Sequence, residues 1–597
     1  MHFPRLTPTK TTESVIRSFG GLDTTTSCPE NCFSDTKNTS SSLFPLLSTR
    51  SKRIHLSVFS TPPTSLHTVN GITCTVGTSL YYNGVLQYDE LSPDTSKQLV
   101  SMGSKVIVFP DGYYINTLHV DENGLCTDRG SLTQVVSYGN FISVTLYPCV
   151  KGLPLPFMSV YQPNPTDNTL WLDCSGYPSV LKQYSEEISD WVEIQNDCCC
   201  IELEGIDKNF AVGETIEIQG LDMNIDGISN VISTEKNKLI VDVPFNELLN
   251  FEISDDLNCK FKKLLPIMDF VCEHQNRLFG CRYGLDHKGN FVNEIYASKL
   301  GEPGIWNEYK GLSTDSYAAS CGSEGPFTGI ISHMGYVVFF KENRIHRLFG
   351  TKPSNYTIYE DSFCGVKFGS EKSLCLHNGT LYYHGNNGIY SYAGSTPTLL
   401  SKALGNISYK NAVAAFCKNK YYISLLTQGG SPLLYVYDTE KNIWHKEDSS
   451  RFTHMSALEN NIIGFKEENG SYSAVLLGGS DIPVALSKLG TATTKESNFD
   501  WYAETSDIGF FTDDAKTLTR LSLRLQLDWG STLRLYIMTD SSGIWKCCGS
   551  LLGGKLKTFT LNVAPPRCDH LRLKFVGHGG CKIYSFSKVF EYSGEVM

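Results

Sequence analysis

Alternating apolar and polar residues fill most of this chain and predict strands. Short runs of this kind flank glycine or asparagine turns, as in "LYYNGVLQY" around Asn83 and "YYHGNNGIYSY" around Asn387. Alternation on both sides of a tight turn is the pattern of a β-hairpin. The chain is therefore predicted to be a succession of hairpins.

These hairpin turns recur at a nearly constant interval. They are predicted at Asn83, within 106–120, near Gly289, and at Asn343, Asn387, Gly429 and Asn469. The last four are 44, 42 and 40 residues apart. A repeat of about 40–50 residues built from strands alone is typical of a β-propeller blade, because four short strands use up that length. We expect six or seven blades between about residues 50 and 484.

Three tryptophans follow an isoleucine that is itself preceded by glycine or asparagine: Trp306, Trp444 and Trp545. At the start of a strand, a side chain of this size can fill the gap between neighbouring blades. Trp545 lies beyond the propeller, where we expect the same packing role in another β domain. Stacking on carbohydrate is the alternative. If the packing role is right, Trp306→Ala should cost about 3–5 kcal/mol.

Two regions interrupt the repeat. Residues 150–175 are spaced by prolines, as in an exposed linker. Next, Val180, Tyr184, Ile188 and Trp191 fall at helical spacing and predict one short amphipathic helix. Short alternating runs then predict a small inserted β-barrel or sandwich, and long alternating strands after the propeller predict a two-sheet sandwich.

The predicted fold is all-β: a propeller of about six or seven blades with an inserted small β-barrel and a C-terminal β-sandwich. We predict an N-terminal arm (1–49), the first blades and a linker (50–185), the inserted barrel (186–262), the remaining blades (263–484) and the sandwich (485–597). The arm is rich in Ser and Thr and is expected to order only on assembly.

The composition excludes some classes of function. The chain has 597 residues, 41% hydrophobic and 19% charged, which is globular and too long for one core. Its formal charge is −11 with no block of Lys or Arg, which argues against a protein that grips nucleic acid through phosphates. The N-terminus has no apolar signal region, and no run approaches 18 apolar residues. We therefore expect synthesis in the cytoplasm and no membrane span.

The 20 cysteines are mostly scattered singly through strand-like runs, which predicts small buried thiols in a reducing compartment. Cys198, Cys199 and Cys200 are adjacent, so in a strand they face alternate sides and cannot jointly hold a tetrahedral metal. Cys28 and Cys32 have plausible metal spacing but no second Cys or His pair nearby. Free thiols are therefore favoured over zinc.

Two stretches come close to known binding motifs. "GSLLGGKL" (549–556) resembles a phosphate-binding loop, but Leu556 stands where Ser or Thr would bind magnesium, so a hairpin turn is favoured. "DMNIDGISN" offers Asp222, Asn224 and Asp226 as a candidate calcium loop, although Ser233 stands where a bidentate Glu belongs. A solvated loop is favoured there.

The sequence contains neither G-x-S-x-G nor H-E-x-x-H, and its histidines lie in no acid–base spacing. Adjacent carboxylates such as Glu186 and Glu187 are sequence neighbours, whereas glycosidase carboxylates face each other across a cleft. We therefore expect no catalytic residues, no cofactor and no enzymatic activity.

Several stretches resemble structural proteins of tailed bacteriophages. They are "FSDTKNTSSSLFPLLSTRSKR" (33–53), "NFAVGETIEIQGL" with the run that follows it, "NRLFGCRYG…NEIYASKLGEPGIWN" (276–307) and "PPRCDHLRLKFVGHGGCKIYSFSKVFEYSGEV" (565–596). They cover about a quarter of the chain and occur in the same order along its whole length. The chain is most similar to the tail nozzle, or packaged-DNA stabilisation protein, of short-tailed phages.

This resemblance implies a virion tail protein made in the host bacterial cytoplasm. Such proteins form a homo-oligomeric ring on the tail axis, usually with six copies, as a head–tail connector or nozzle that retains and ejects DNA. Implied partners are other copies and the portal, adaptor or fibre proteins, with DNA passing without sequence-specific binding. An acidic conduit suits that role because it would not hold phosphates.

Two other classes of function stay open. A peripheral propeller could bind host-surface glycans, but such proteins commonly carry coiled-coil or β-helical stems and no heptad run exists here. A virion-associated glycan hydrolase on a sialidase-like propeller would show repeated Asp-box turns. The nearest match, "TDSSGIW" (539–545), is mis-spaced and lies outside the propeller.

Overall fold

The computed structural model describes residues 9–93, 96–139, 144–149, 157–164, 166, 169–176, 180–195, 197–221, 225–244, 251–253, 258–406, 408–479, 493–563 and 565–592. Over these ranges, strands dominate. The helical segments among them are four 3₁₀ turns: Ile206–Lys208, Pro353–Asn355, Glu371–Ser373 and Ser401–Leu404. Within the same ranges, no helix has the length and apolar character needed to cross a membrane.

Of the first thirteen strands, the first four belong to the sandwich, the fifth belongs to the last blade of the propeller, and the other eight form the first two blades. They are β1 (Lys10–Ile16), β2 (Phe33–Lys37), β3 (Thr39–Ser40), β4 (Leu47–Thr49), β5 (Ile54–Phe59), β6 (Pro63–His67), β7 (Thr73–Val76), β8 (Ser79–Tyr82), β9 (Val85–Tyr88), β10 (Gln98–Met102), β11 (Lys105–Phe109), β12 (Tyr113–Asn116) and β13 (Arg129–Ser131).

The next twelve strands form the insertion. They are β14 (Val135–Tyr138), β15 (Val144–Cys149), β16 (Phe157–Ser159), β17 (Leu170–Asp173), β18 (Val180–Ser185), β19 (Asp190–Glu193), β20 (Cys198–Glu202), β21 (Thr215–Gln219), β22 (Gly227–Glu235), β23 (Lys238–Val241), β24 (Phe251–Ile253) and β25 (Cys259–Lys263).

Five further blades follow, and then the sandwich. The blade strands are β26 (Phe270–His274), β27 (Arg277–Leu285), β28 (Phe291–Ala297), β29 (Tyr317–Ser320), β30 (Phe327–His333), β31 (Tyr336–Lys341), β32 (Arg344–Phe349), β33 (Thr357–Asp361), β34 (Cys375–His377), β35 (Thr380–Gly385), β36 (Gly388–Tyr392), β37 (Thr398–Leu399), β38 (Tyr409–Cys417), β39 (Lys420–Thr427), β40 (Pro432–Asp438), β41 (Ile443–Lys446), β42 (Arg451–Leu458), β43 (Asn461–Glu468) and β44 (Ser471–Leu477). The last strands are β45 (Thr494–Lys495), β46 (Asp500–Thr505), β47 (Lys516–Thr539), β48 (Lys546–Asn562), β49 (Leu571–His578) and β50 (Cys581–Tyr592).

The propeller has seven blades, which confirms the predicted fold class. Six blades are four consecutive antiparallel strands: β6–β9, β10–β13, β26–β29, β30–β33, β34–β37 and β38–β41. The seventh combines β42, β43 and β44 with β5 from the other end of the propeller, which pairs antiparallel with β44, and the short strand β45 pairs with the other edge of β5. The ring is thus closed by hydrogen bonds between its first and last strands.

The hydrophobic core lies between neighbouring blades. In β31, Val337 and Phe339 pack against the third blade, while Val338 and Phe340 pack against the fifth. Successive strand residues point to opposite faces, and both faces of this blade are covered. This is why the apolar run 336–340 of β31 is continuous, and every residue of the strand is buried.

The predicted repeat marks the same turn in most blades. The turns at Asn343, Asn387, Gly429 and Asn469 each join the second strand of a blade to the third. At Asn469, φ is +51°, a left-handed conformation that Asn and Gly adopt readily and that two-residue hairpins require. The turn at Asn83 instead joins the third and fourth strands of its blade.

The insertion lies between the second and third blades. Eight of its strands form one sheet, ordered β14-β25-β21-β22-β23-β20-β15-β24, which wraps around a single core. We call this the inserted barrel. The other four strands, β16–β19, form a separate sheet that we call the appendage. Cys149 and Cys198 are opposite each other in the β15–β20 pair, so the appendage extends from the end of that hairpin.

The predicted helix around Val180 and Trp191 is wrong. Strands β18 and β19 form a hairpin in which Tyr184 lies opposite Trp191, with ring centroids 5.4 Å apart. Trp171 packs on the same ring at 5.3 Å. Tyr184 and Trp191 are seven residues apart, a spacing that places two residues on one face of a helix or opposite each other in a hairpin, and the cross-strand aromatic contacts favour the hairpin.

The sandwich uses both ends of the chain. β1 pairs with β50 over its whole length, β2 pairs with β46, and β4 pairs with β50. The segment predicted as an arm that orders only on assembly thus contributes four strands to this sheet. The stretch 549–556 is also not a hairpin turn, since it lies inside β48, which pairs with the long strand β47.

A buried ionic network connects the propeller to the sandwich. Arg53 pairs with Asp448 at 2.7 Å and with Glu447 at 2.8 Å, and Arg50 binds both carboxylate oxygens of Glu496 at 2.7 and 2.8 Å. These residues lie where the chain passes from β4 to β5, between the sixth and seventh blades, and between β45 and β46. The network therefore fixes the junctions between the two domains.

Candidate functional site

The inserted barrel sits against the third blade through a small set of polar contacts. The Lys288 ammonium, in the β27–β28 turn, pairs with the Asp242 carboxylate at 2.6 Å and donates to the Asp242 carbonyl at 2.8 Å. The Asn307 side-chain amide donates to the Val212 carbonyl at 2.8 Å. These bonds orient the barrel on the propeller.

A cleft of about 630 Å³ lies between the two domains. Barrel residues such as Glu214 and Lys263 line one side, and Arg282, Glu294 and Tyr296 of the third blade line the other. Glu214 pairs with Lys263, and Tyr296 donates its hydroxyl proton to Glu294 at 2.7 Å. Burial, followed by the bond to Glu294, raises the pKa of Tyr296.

The rim of this cleft is apolar. Val212, Ile267, Leu285 and Tyr309 all line the cleft and are exposed. Both carboxylates described above are committed to partners inside the protein, so they are poorly placed to exchange protons with a bound molecule. Exposed apolar side chains around fixed polar groups instead suit the binding of a protein segment.

Two of the three singled-out tryptophans lie between blades. Trp306 packs with core residues of the second and third blades, and its indole N–H donates to the Pro303 carbonyl at 2.8 Å. Trp444 packs with residues of the fifth and sixth blades, and its indole N–H donates to the Leu400 carbonyl at 3.1 Å. Trp545 differs: it is half-buried beside β48, with the Lys574 ammonium 5.4 Å from the ring centroid.

Replacing Trp306 with alanine is expected to lower the free energy of unfolding by about 3 kcal/mol, because it leaves a cavity between two blades. The matched change Trp545→Ala removes a half-buried ring and one cation–π contact, so it should cost less than about 1 kcal/mol. Urea titrations followed by fluorescence measure both. Equal losses in the two variants would contradict an interblade role for Trp306.

The candidate calcium loop lies partly outside the described residues. Asp222 and Asn224 lie outside the described residues. The carboxylate of Asp226 accepts hydrogen bonds from the backbone N–H groups of Gly220 and Leu221 at 2.8 and 2.9 Å. Among the described residues, no group of three or more His, Cys, Asp or Glu side chains is placed to hold a metal ion.

The cysteines occur as free thiols in the described parts of the chain. Cys198, Cys199 and Cys200 are buried in β20. Cys28 and Cys32 are half-buried, and burial, aided by the Asp23 carboxylate, raises the pKa of Cys28 to about 12 and of Cys32 to about 11. Such thiols are protonated at neutral pH and poor nucleophiles.

The fourth blade holds a buried serine–histidine pair beside an exposed carboxylate, and the sequence pattern did not reveal it. The Ser323 hydroxyl lies 2.8 Å from His346 Nε2, and a Glu360 carboxylate oxygen lies 3.9 Å from His346 Nδ1. Glu360 also pairs with Arg344. The three groups are a serine, a base and a carboxylate, but 3.9 Å is too long for the hydrogen bond that orients a catalytic imidazole.

The same hydroxyl–imidazole pair occurs in the fifth blade, between Ser370 and His384 at 3.0 Å. Each serine lies in the segment that enters its blade, and each histidine lies in a strand of that blade. Buried imidazoles need a hydrogen-bond partner, which these serines supply. The recurrence therefore favours a structural role. No fixed sequence spacing relates the pairs, so no motif could have found them.

No protein-family model matches the sequence, and no curated protein is similar to it. The fold is similar to solved β-propellers. The WD40 domain of SCAP from fission yeast is 9% identical, with 72% of this chain and 98% of that chain covered and a TM-score of 0.28. The β-propeller domain of the Trilobed protease from Pyrococcus furiosus is 14% identical, with 51% and 92% covered and a TM-score of 0.25.

An exo-beta-1,3-galactanase from Phanerochaete chrysosporium is also similar. It is 8% identical, with 53% of this chain and 94% of that chain covered and a TM-score of 0.21. Similarities at this level concern the fold and carry no argument about activity.

Proposed function

We propose that this chain is a structural virion protein of a tailed phage that forms a ring at the tail axis, as a nozzle or head–tail connector. The observation that carries the proposal is the order of its domains. A barrel is inserted between the second and third blades, and the sandwich follows the seventh. The sequence stretches that resemble phage tail proteins occur in this same order.

The charge distribution supports a conduit for DNA. Outside residues 516–592, the chain carries 58 Asp and Glu against 39 Lys and Arg, a net charge of −19. Acidic walls repel phosphates, so DNA can pass without being held. In this proposal the propeller forms the wall, while the inserted barrel and the sandwich contact neighbouring subunits and other tail proteins. The apolar rim of the barrel cleft is one such contact surface.

A cryo-EM reconstruction of particles that carry this protein tests the proposal. We expect density around the tail axis with six-fold symmetry. Three-fold or peripheral density would contradict the proposal and would favour a host-receptor protein, for which glycan binding and cleavage assays come next.

Excision of the barrel tests its role separately. Tyr138 and Cys259 are opposite each other in the β14–β25 pair, so residues 139–258 can be replaced by a short glycine turn. We expect the excised protein to keep a folded propeller by circular dichroism but to be absent from particles. Normal tails that contain the excised protein would contradict the contact role of the barrel.

A further inference from the structure

Trp529 projects from the sandwich almost free of contacts. It lies in the middle of β47, and its side chain is 94% exposed. An exposed tryptophan is costly in a monomer and common at the centre of protein interfaces. Leu552 of the paired strand β48 is 74% exposed and lies opposite Thr532. Leu556 is also exposed and lies between the residues opposite Leu527 and Leu525, so exposed apolar residues flank the Trp529 segment in the strand pairing.

The backbone around Trp529 is held in a defined bulge. The pairing of β47 with β48 breaks between Leu527 and Thr532. The Asp528 N–H donates to the Gly580 carbonyl at 3.0 Å, and Gly530 has φ of +76°. A Cβ atom on Gly553 would lie 2.5 Å from the Asp528 carbonyl oxygen. Gly553 of "GSLLGGKL" thus lets the bulge approach, and Trp529 is presented on a preorganised support.

The segment that carries Trp529 and these leucines is basic overall, although the exposed Asp528 lies next to Trp529. Residues 516–592 carry twelve Lys and Arg against four Asp and Glu, a net charge of +8 in a chain of −11. Lys555 follows the residue opposite Leu527, Lys557 is opposite Leu525, and both lysines are exposed. We call Trp529, Leu552 and Leu556 with these two lysines the Trp529 patch.

The appendage carries the opposite combination. In the β18–β19 hairpin, Ile188 is 61% exposed and Val192 is 40% exposed. Four exposed carboxylates surround them: Glu186, Glu187, Asp190 and Glu193. Two apolar side chains in an acidic setting match the apolar Trp529 patch in its basic setting. We call this second surface the acidic hairpin.

We infer that the Trp529 patch of one copy docks on the acidic hairpin of a second copy. Two identical basic patches would repel each other, whereas the patch and the hairpin attract. A contact between different surfaces of identical chains is heterologous, and such contacts generate rings when the rotation closes. The inference rests on the proposed ring and specifies one of its subunit contacts.

Sedimentation velocity and native mass spectrometry of the purified full-length chain test this contact. We expect Trp529→Ala to weaken self-association by about thirtyfold or more, as an interface tryptophan does. The matched control Phe368→Ala removes another exposed aromatic ring, from the propeller, and should leave association unchanged. Salt should weaken association of the wild type, because part of the attraction is between charges.

Charge reversal gives a sharper test. Lys555→Glu with Lys557→Glu makes the patch acidic and should abolish assembly. Glu186→Lys with Glu187→Lys leaves two lysines against two carboxylates on the hairpin and should weaken assembly strongly. An equimolar mixture of the two double variants should assemble again, because every contact in it can join opposite charges. Lys402→Glu with Lys418→Glu, at exposed propeller positions, is the control and should assemble normally.

Three outcomes would overturn the inference. The first is wild-type protein that stays monomeric at 50 μM, because a dissociation constant of about 10⁻⁴ M is already weak for an assembly contact. The others are a Trp529→Ala variant that assembles like Phe368→Ala, and a mixture of charge-reversed variants that does not assemble. Trp529→Ala that keeps assembly but loses binding to a DNA duplex would overturn it too. Axial rings that persist in Trp529→Ala particles would leave the proposed function intact and remove only this contact. Peripheral density in particles, together with self-association that depends on Trp529, would contradict the proposed function and leave this contact intact.

Discussion

Replacing Arg53 with methionine is expected to lower the free energy of unfolding by about 3–5 kcal/mol, because in a buried site it leaves Asp448 without its paired cation and Glu447 with only Arg50, 3.8 Å away. The Arg53 guanidinium pairs with Asp448 and Glu447, and it also donates to the Ser450 hydroxyl at 3.0 Å. Burial opposes ionisation of Asp448, yet the Arg53 charge still holds the pKa of that carboxyl below its usual range.

Urea titration at pH 7 measures this loss. Arg451→Met is the matched control, since Arg451 is exposed and pairs with Glu467 at 3.2 Å across one blade. Exposed pairs of this kind contribute less than about 1 kcal/mol. Similar losses in the two variants would show that the junction network does not hold the sandwich to the propeller.

The repeat could be predicted from sequence because a blade is a local unit. The turn residues and the alternating strands of each blade lie within about 40 consecutive residues, so the repeat can be recognised in the sequence. The junction could not be predicted this way. Arg53 and Asp448 are 395 residues apart in the sequence, and neither residue type predicts such a distant partner.

The strands at the N-terminus were missed for a related reason. β1 is a largely polar stretch that forms a strand because it pairs with β50, almost 600 residues away in the sequence. The excess of basic residues in 516–592 was not recognised from the sequence either. Alternation in β47 separates Arg520 and Arg524 by inward-facing leucines, so charges that share one face never form a run. The barrel cleft combines residues from 212 to 309 and left no local signal.

Four buried histidines should make the propeller sensitive to acid. Burial lowers the pKa of His346 to about 4 and the pKa of His384, His445 and His454 to about 3. His454 has a further reason to stay neutral, because its Nε2 lies 2.8 Å from the Lys372 ammonium. A proton on this imidazole would place two cations in contact inside the fold.

The direction of the pH effect follows from these pKa values. In the unfolded chain a histidine has a pKa of about 6.5, so between that value and about 4 the unfolded state binds protons that the folded state does not. The stabilisation is therefore fully present above about pH 6.5 and is lost as the pH falls. Each histidine contributes a slope of about 1.4 kcal/mol per pH unit, and four give roughly 5–6 kcal/mol per unit.

A loss of this size between pH 6 and pH 5 is comparable to the whole stability of a typical domain, so we expect cooperative unfolding in that range. Urea midpoints at pH 7, 6 and 5 measure the slope. His454→Gln should reduce the slope by about 1.4 kcal/mol per pH unit, because one proton-linked site is removed. His287 is exposed in the β27–β28 turn, so His287→Gln should leave the slope unchanged. A stability that is flat from pH 7 to pH 5 would mean that these imidazoles take up protons without leaving the core.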